Sequence, residues 1–182
     1  MALPTLTHIG GSQAAETFAQ IFEIYAVVYA EPPYNQTDED RDSFKRRAVH
    51  QFQQSGFDLV AARADGKLIG FTYGYPIPPQ THWWDGIEPP QPADFTRETG
   101  GRTFAVIELG VLPGYRGKGL GRRLIDELLR GRMEERGTLA THPDAVDVQR
   151  MYERWGWSKA GRAPTGPGAP CPYLDLYVLP LR

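Results

Sequence analysis

The stretch Val111-Leu112-Pro113-Gly114-Tyr115-Arg116-Gly117-Lys118-Gly119-Leu120-Gly121 joins two segments of different periodicity. The apolar run Arg102 to Leu112 predicts a buried strand, and after the glycines apolar residues recur at helical spacing, at Leu120, Leu124, Ile125, Leu128 and Leu129. The first N–H groups of such a helix have no intrahelical partner, and glycines let an anion approach them. The stretch therefore predicts a phosphate-binding turn between a strand and a helix, and the structural alternative is a tight connection.

Two better-known phosphate motifs do not fit this turn. A P-loop requires Ser or Thr directly after Gly-Lys, but Gly119 and then Leu120 follow Lys118. The dinucleotide fingerprint G-x-G-x-x-G requires glycine where this chain has Arg122. ATP and NAD are therefore disfavoured as ligands.

Composition sets wider limits. The chain has 182 residues, 41% of them hydrophobic, with a formal net charge of -2. These values predict one soluble domain without the basic excess of a nucleic-acid-binding protein. There is no apolar run long enough to span a membrane and no signal peptide at Met1 to Thr5, so we expect a cytoplasmic protein. Cys171 is the only cysteine and the four histidines lack metal-ligand spacing, so no metal is expected.

Periodicity assigns the first half of the chain. A first strand is expected at Thr5 to Ile9, then a helix capped by Ser12 that carries apolar residues up to Tyr29. The segment 38–54 predicts a second, exposed helix, and we expect the charged residues between Asp38 and Arg47 to form a solvated face. Asp65-Gly66 predicts a tight turn between strands at 57–63 and 67–75.

The second half begins with a long loop, 76–101, which is rich in Pro, Gly and Trp and shows no period. Loops of this length inside a compact domain are usually functional or disordered. After the helix that follows the glycine turn, three strands (138–141, 157–161 and 173–179) and a helix (145–155) are expected.

Two segments carry a resemblance to a known family. Arg116-Gly117-Lys118-Gly119-Leu120-Gly121 resembles the Arg/Gln-x-x-Gly-x-Gly/Ala pattern of the GNAT (GCN5-related N-acetyltransferase) superfamily, and Tyr152 to Trp157 resembles its Tyr-x-x-x-Gly-Phe segment, with Trp157 in place of Phe. The tail resembles that of uncharacterised bacterial members. The resemblance implies an α/β (α+β) fold, with a mixed, largely antiparallel sheet of about six to seven strands flanked by helices. It implies one domain, residues 1–182, with 76–101 as the acceptor-side loop.

The resemblance also implies that acetyl-CoA is the co-substrate. Leu109 and Val111 would present backbone groups to its pantetheine arm. The turn would hold its pyrophosphate through Arg116, Gly117, Lys118, Gly119, Gly121 and Arg122.

The catalytic residues implied are Glu108 as general base and Tyr152 as the acid that protonates the leaving thiolate. A strand glutamate that points away from the cleft is the alternative for Glu108, and a core aromatic residue is the alternative for Tyr152. Ala105 stands where some family members have a catalytic glutamate, and Ala145 stands where many have an asparagine near the cofactor. These departures leave acyl-CoA binding intact and put the base in question.

Aromatic and acidic residues are candidates for the acceptor site, namely Tyr34, Trp83, Trp84 and Asp85. The expected reaction is acetyl transfer from acetyl-CoA to a primary amine of a small molecule. Alternatives are acetylation of a protein lysine or N-terminus, and a non-catalytic acyl-CoA-binding regulatory module. The tryptophans could instead anchor the loop or form a homodimer contact.

Overall fold

The computed structural model describes residues 3–167 and 169–182. Within them, seven strands form one sheet in the order β1-β2-β3-β4-β5-β7-β6. The strands are β1 Thr5–Ile9, β2 Asp58–Ala64, β3 Lys67–Pro76, β4 Thr103–Val111, β5 Arg136–Thr141, β6 Ser158–Pro164 and β7 Tyr173–Pro180. The helices are α1 Gly11–Glu16, α2 Phe18–Ala30, α3 Asp38–Gln51, α4 Ala93–Thr96, α5 Leu120–Leu129 and α6 Val146–Arg154. The predicted mixed, largely antiparallel sheet with flanking helices is confirmed.

The chain forms two compact units. The first contains the described residues up to Tyr75 together with Val106–Gly131, and the second contains Pro76–Ala105 with the described part of Arg132–Arg182. The predicted single domain stays a prediction.

Helices cover both faces of the strands in the first unit. Phe71 belongs to a buried core with residues of α2 and α3, among them Tyr25 and Phe44. Its neighbour Gly70 faces the other way, where a Cβ atom would lie 3.3 Å from Cδ1 of Leu124 on α5. The missing side chain therefore lets α5 lie close against β3 on the face opposite α2.

The helix predicted from Ser12 is wrong in its start and its continuity. The structure has two helices: α1 begins after Gly10, whose side chain cannot cap, and α2 begins after Thr17. The apolar period predicted the α2 face correctly, with Ile21, Ile24 and Tyr25 buried. Helix α3 is capped by a reciprocal pair of bonds between Thr37 and Asp40.

The hairpin β2–β3 turns at Asp65 and Gly66, which both have positive φ, 49° and 77°. This is the conformation that the Asp-Gly step predicted. In the second unit β7 pairs antiparallel with both β5 and β6. The long loop 76–101 contains the short helix α4, and Glu88 forms an isolated antiparallel bridge with Arg162 on β6.

Candidate active site

A carboxylate on β4 lies at the centre of a tyrosine cluster in the first unit. Glu108 is partly buried, and its Oε2 accepts a 2.8 Å hydrogen bond from the hydroxyl of Tyr29 on α2. Its backbone carbonyl accepts a 2.8 Å bond from Oγ1 of Thr72, which fixes this part of β4 against β3. The side chain therefore points toward α2 and is held on one side by a phenol.

Burial raises the pKa of Glu108 to about 7, and the hydrogen bond from Tyr29 and the positive charge of Arg47 oppose that rise. A carboxyl group with this pKa is substantially ionised at neutral pH, yet it still binds a proton readily. That balance is what a general base for an amine requires.

Five phenols share the electrostatic influence of this carboxylate. Burial raises the pKa of each, and the negative charge of Glu108 raises it further, for Tyr25, Tyr29, Tyr34, Tyr73 and Tyr75. Three of the rings contact one another, with centroids 4.4 Å apart for Tyr25 and Tyr29 and 4.8 Å apart for Tyr29 and Tyr34. The phenols stay protonated at neutral pH and can donate hydrogen bonds.

Two polar side chains reach this cluster through Tyr25. Its oxygen is hydrogen-bonded by the side chains of Gln36 and Arg47, and both bonds favour the phenolate form, so both groups donate. Arg47 lies on α3 and also donates to Oγ of Ser43 at 2.9 Å. The cluster thus combines a base, several hydroxyl donors and a guanidinium.

The glycine turn follows β4 directly. A short 3₁₀ turn, Pro113–Tyr115, leads into Gly117 and Gly119, which have positive φ of 72° and 77°. Gly119 is the N-cap of α5, and the first bond of that helix joins Arg123 N to Gly119 O. The N–H groups of residues 120–122 therefore have no partner within the helix.

Space beside the turn is open. A Cβ atom built on Gly117 or Gly119 would meet nothing within 4 Å, and residues 116–119 are exposed. The first turn of α5 contains no acidic residue that would repel an anion. The backbone at this point is suited to receive a phosphate group.

The basic side chains at the turn have contacts of their own. Arg116 donates from Nε to the carbonyl of Val111 at 2.9 Å and forms a 2.6 Å ion pair with Glu31. Nζ of Lys118 donates to the carbonyl of Gly114 at 3.2 Å. Arg122 pairs with Asp126 one helical turn further on. These cations stay within the turn's own neighbourhood, where they can contribute positive charge to an anion site.

In the second unit, Trp84 is 4% exposed, and its indole N–H donates to Oε1 of Glu98 at 2.9 Å. The same oxygen accepts from Thr103 and from the buried guanidinium of Arg136. Arg136 also lies over the ring of Trp84, 4.9 Å from its centroid. Trp84 therefore packs as an anchor of the loop 76–101, which is one of the alternatives that the sequence left open.

The neighbours of Trp84 are less buried. Trp83 donates from Nε1 to Oγ1 of Thr138 at 3.2 Å and lines an apolar cavity of about 250 Å³ with residues of β5, β6 and β7. Asp85 is exposed and pairs with His82 at 2.7 Å. Both remain available to an acceptor only through their ring face or carboxylate, and their acceptor role stays a prediction.

Tyr152 lies on α6 and is 6% exposed. Trp155 and Trp157 pack edge-on against its ring, at centroid distances of 5.5 and 6.0 Å. The Tyr-to-Trp157 spacing thus has a packing reason, because the chain turns back after α6 and brings Trp157 onto Tyr152. Ala145 is the N-cap of α6 and has no side-chain capping bond.

Comparison with known proteins places these observations in a family. The family model described as "Acetyltransferase (GNAT) family" matches residues 18–157, which include β4, the glycine turn, α5 and Tyr152. The chain belongs to the GNAT family.

Relatives of this GNAT protein differ in what their names say they act on. A GCN5-like protein acetyltransferase of Mycobacterium tuberculosis is 32% identical over 111 residues, which are 54% of this chain and 52% of that protein. The chain thus spans about half the length of this curated relative.

Two solved structures share the fold. An acetyltransferase from Salmonella typhimurium, solved with acetyl-CoA, has a TM-score of 0.57 at 17% identity, covering 100% of this chain and 95% of that one. An aminoglycoside 6'-acetyltransferase has a TM-score of 0.64 at 17% identity, covering 98% and 97%.

Sequence reasoning about this GNAT chain missed four members of the cluster, Tyr25, Tyr29, Gln36 and Arg47. The expectation of a solvated face up to Arg47 is wrong at its last residue, since Arg47 is partly buried and bonds Tyr25. The signal was present in the spacing, because position 47 falls on the same side of α3 as the buried residues Phe44 and Ala48.

Two further searches cover the described part of the chain. None of its helices is long and apolar enough to cross a membrane. No group of three or more His, Cys, Asp or Glu side chains in residues 3–167 and 169–182 is arranged to hold a metal ion.

Proposed function

We propose that this GNAT protein transfers an acetyl group from acetyl-CoA to a primary amine of a small molecule. The observation that carries the proposal is Glu108. It is a carboxyl group whose pKa is raised to about 7 by burial, it bonds Tyr29, and it lies on the strand that leads into the glycine turn. Such a group supplies the base that Ala105 cannot supply.

The glycine turn fits the pyrophosphate of CoA. Its positive-φ glycines leave open space at the N-terminus of α5, where backbone N–H groups can bind phosphate oxygens. Gly117, Gly119 and Gly121 would present backbone N–H groups, and the side chains of Arg116, Lys118 and Arg122 would add charge. Backbone groups of Leu109 and Val111 would bind the pantetheine arm.

The bound acetyl-CoA supplies an activated acyl group as a thioester. An alkyl ammonium has a pKa near about 10, so it must lose a proton before its nitrogen can attack. Glu108 accepts that proton, a C–N bond forms at the acetyl carbon, and the C–S bond breaks. Tyr29 keeps Oε2 of Glu108 oriented while the carboxylate takes the proton.

The departing CoA thiolate needs a proton. A phenol is protonated at neutral pH and can donate, so we assign this step to Tyr152. Its edge contacts with Trp155 and Trp157 restrict the ring and fix where the hydroxyl lies. Tyr34, whose ring contacts Tyr29, would line the acceptor side of the cluster, and Trp83 and Asp85 would contribute from the long loop.

The test is thiol release from acetyl-CoA across a panel of small amines. We expect turnover with the wild type, and a fall in kcat of about a hundredfold or more in Glu108→Gln, which keeps the shape but not the base. Glu23→Gln, an exposed glutamate on α2, is the matched control and should leave turnover unchanged.

Acetyl-CoA binding is measured on the same variants by calorimetry. Glu108→Gln and Tyr152→Phe should both bind acetyl-CoA as tightly as the wild type, because neither side chain is assigned to the nucleotide. Binding without turnover on any amine would favour a non-catalytic acyl-CoA-binding module. Full turnover in Glu108→Gln would remove this residue as the base.

A protein acceptor is the second candidate, and the name of the mycobacterial relative favours it. The same assay distinguishes the two. Acetylation of lysine-containing or N-terminal peptides at rates well above those of free amines would replace the small-molecule proposal.

A further inference from the structure

We propose that the acceptor is a primary amine that also carries a carboxylate, with Arg47 binding the carboxylate and Oε1 of Gln36 accepting a hydrogen bond from the amine. This inference rests on the proposed acetyl transfer and names the class of substrate that the tyrosine cluster selects.

Arg47 provides the positive half of the argument. Its guanidinium is partly buried and donates to Ser43 and Tyr25, both neutral partners. Unlike Arg41 and Lys45 on the same helix, it has no ion pair with any carboxylate in the described residues. A partly desolvated guanidinium without a counter-ion favours an anionic ligand, and carboxylate matches its planar fork.

Gln36 provides the complementary half. Its backbone is held at both ends, by the bond from its N–H to Tyr29 and by the bond from Arg41 to its carbonyl. Its side-chain amide donates to Tyr25. The side-chain oxygen, however, is buried and has no hydrogen-bond partner in the part of the chain that the structure describes.

A buried oxygen without a donor is costly to leave unpaired, so a ligand that brings an N–H group gains by satisfying it. A primary amine carries such groups. It would deliver one of them to Gln36 and its reactive proton to Glu108.

Tyr25 holds the two halves together. Gln36 and Arg47 both bond its hydroxyl, and its ring lies 4.4 Å from that of Tyr29, which bonds Glu108. The oxygen acceptor, the guanidinium and the base are thereby connected through two adjacent phenols. An amine with a carboxylate a few bonds away has complementary groups for all three.

The experiment compares matched amines with the wild-type chain. Each pair consists of an amino acid and the amine left by removing its carboxyl group, namely L-lysine with 1,5-diaminopentane and L-phenylalanine with 2-phenylethylamine. We expect kcat/KM to be at least about tenfold higher for the carboxylate-bearing member, as one charge-assisted contact implies.

Variants assign the preference to residues. Arg47→Met should raise KM about tenfold to a hundredfold for the amino acids and leave KM of the decarboxylated amines nearly unchanged. Arg46→Met, exposed and adjacent on α3, is the control and should change neither. Gln36→Leu should raise KM for both members of each pair, because both present an amine. Arg47→Lys keeps the charge and gives an intermediate KM if Arg47→Met proves unstable.

Equal turnover of the two members of each pair, or a preference for the decarboxylated amine, would overturn the inference and leave the proposed acetyl transfer intact. No turnover of any amine while acetyl-CoA binds would overturn the acetyl transfer itself, and the acceptor assignment with it. The two failures are therefore distinguishable in one data set.

Discussion

The hydroxyl of Tyr29 donates a 2.8 Å hydrogen bond to Oε2 of Glu108. This bond stabilises the ionised carboxylate, whereas burial destabilises it. The phenol has no partner of comparable strength to replace that carboxylate, because burial and the same negative charge keep it protonated. Tyr29 thus tunes the proton affinity of Glu108 from α2, a different element of the fold.

Replacing Tyr29 by Phe should raise the pKa of Glu108 further, because the bond that favours the ionised form is lost. The inflection in kcat/KM against pH should therefore move upward from about 7, by on the order of one unit. A pH–rate profile measures it. Tyr173→Phe, on the exposed start of β7, should leave the profile in place. A downward shift would show that Tyr29 acts on Glu108 in the opposite sense.

Glu108→Gln should stabilise the protein at alkaline pH. The folded pKa of Glu108 is raised from 4.5 to about 7, so its contribution to stability is present below 4.5 and is lost as pH rises through 7. The variant has no such loss. At about pH 8 its free energy of unfolding should exceed that of the wild type by about 3 kcal/mol, and the gap should close toward about pH 5. Urea unfolding at the two pH values tests this prediction, and a pH-independent difference would contradict it.

Gly119→Ala should weaken both the fold and CoA binding. The added Cβ meets nothing within 4 Å, so the cost comes from φ of 77° rather than from a clash, and it should be about 1 kcal/mol. Gly114→Ala is the matched control, since its Cβ also meets nothing and its φ is not positive. Thermal unfolding and calorimetry with CoA compare the two. Equal behaviour would show that the backbone conformation of Gly119 is not required.

Arg136→Met should destabilise the second unit by about 3 to 5 kcal/mol, because it leaves the fully buried carboxylate of Glu98 without its cation. The loss should shrink as pH falls and Glu98 takes up a proton. Arg97→Met breaks an exposed ion pair with Asp94 and should change stability little. Chemical denaturation measures both, and similar effects in the two variants would argue against the anchoring role of Glu98.

Sequence reasoning succeeded where local chemistry determines structure. The Asp65-Gly66 turn, the apolar face of α5 and the strand β1 are as predicted, since each depends on neighbouring residues or a simple period. Among the candidate site residues, Glu108 was predicted on the strand, but its direction was left open. The contact with Tyr29 decides that direction, and it joins residues 79 positions apart.

What escaped prediction depends on contacts between distant segments. Thr17 separates α1 from α2, although the apolar period runs through it. Arg47 stands in a run of charged residues, and only the packing of Phe44 against Tyr25, with ring centroids 3.6 Å apart, turns this face of α3 inward. The Glu98 network likewise joins the long loop to β4 and β5 through side chains that no period reveals.

The shared hydrogen bonding of Tyr25 by Gln36 and Arg47 has a consequence for engineering. Both donors lie between the end of α2 and the middle of α3, in a stretch of sequence separate from the turn proposed for CoA. A combinatorial library limited to positions 36 and 47 could therefore change acceptor preference without altering the donor half. Its members would share one scaffold and differ in the charge and hydrogen bonding offered to the amine.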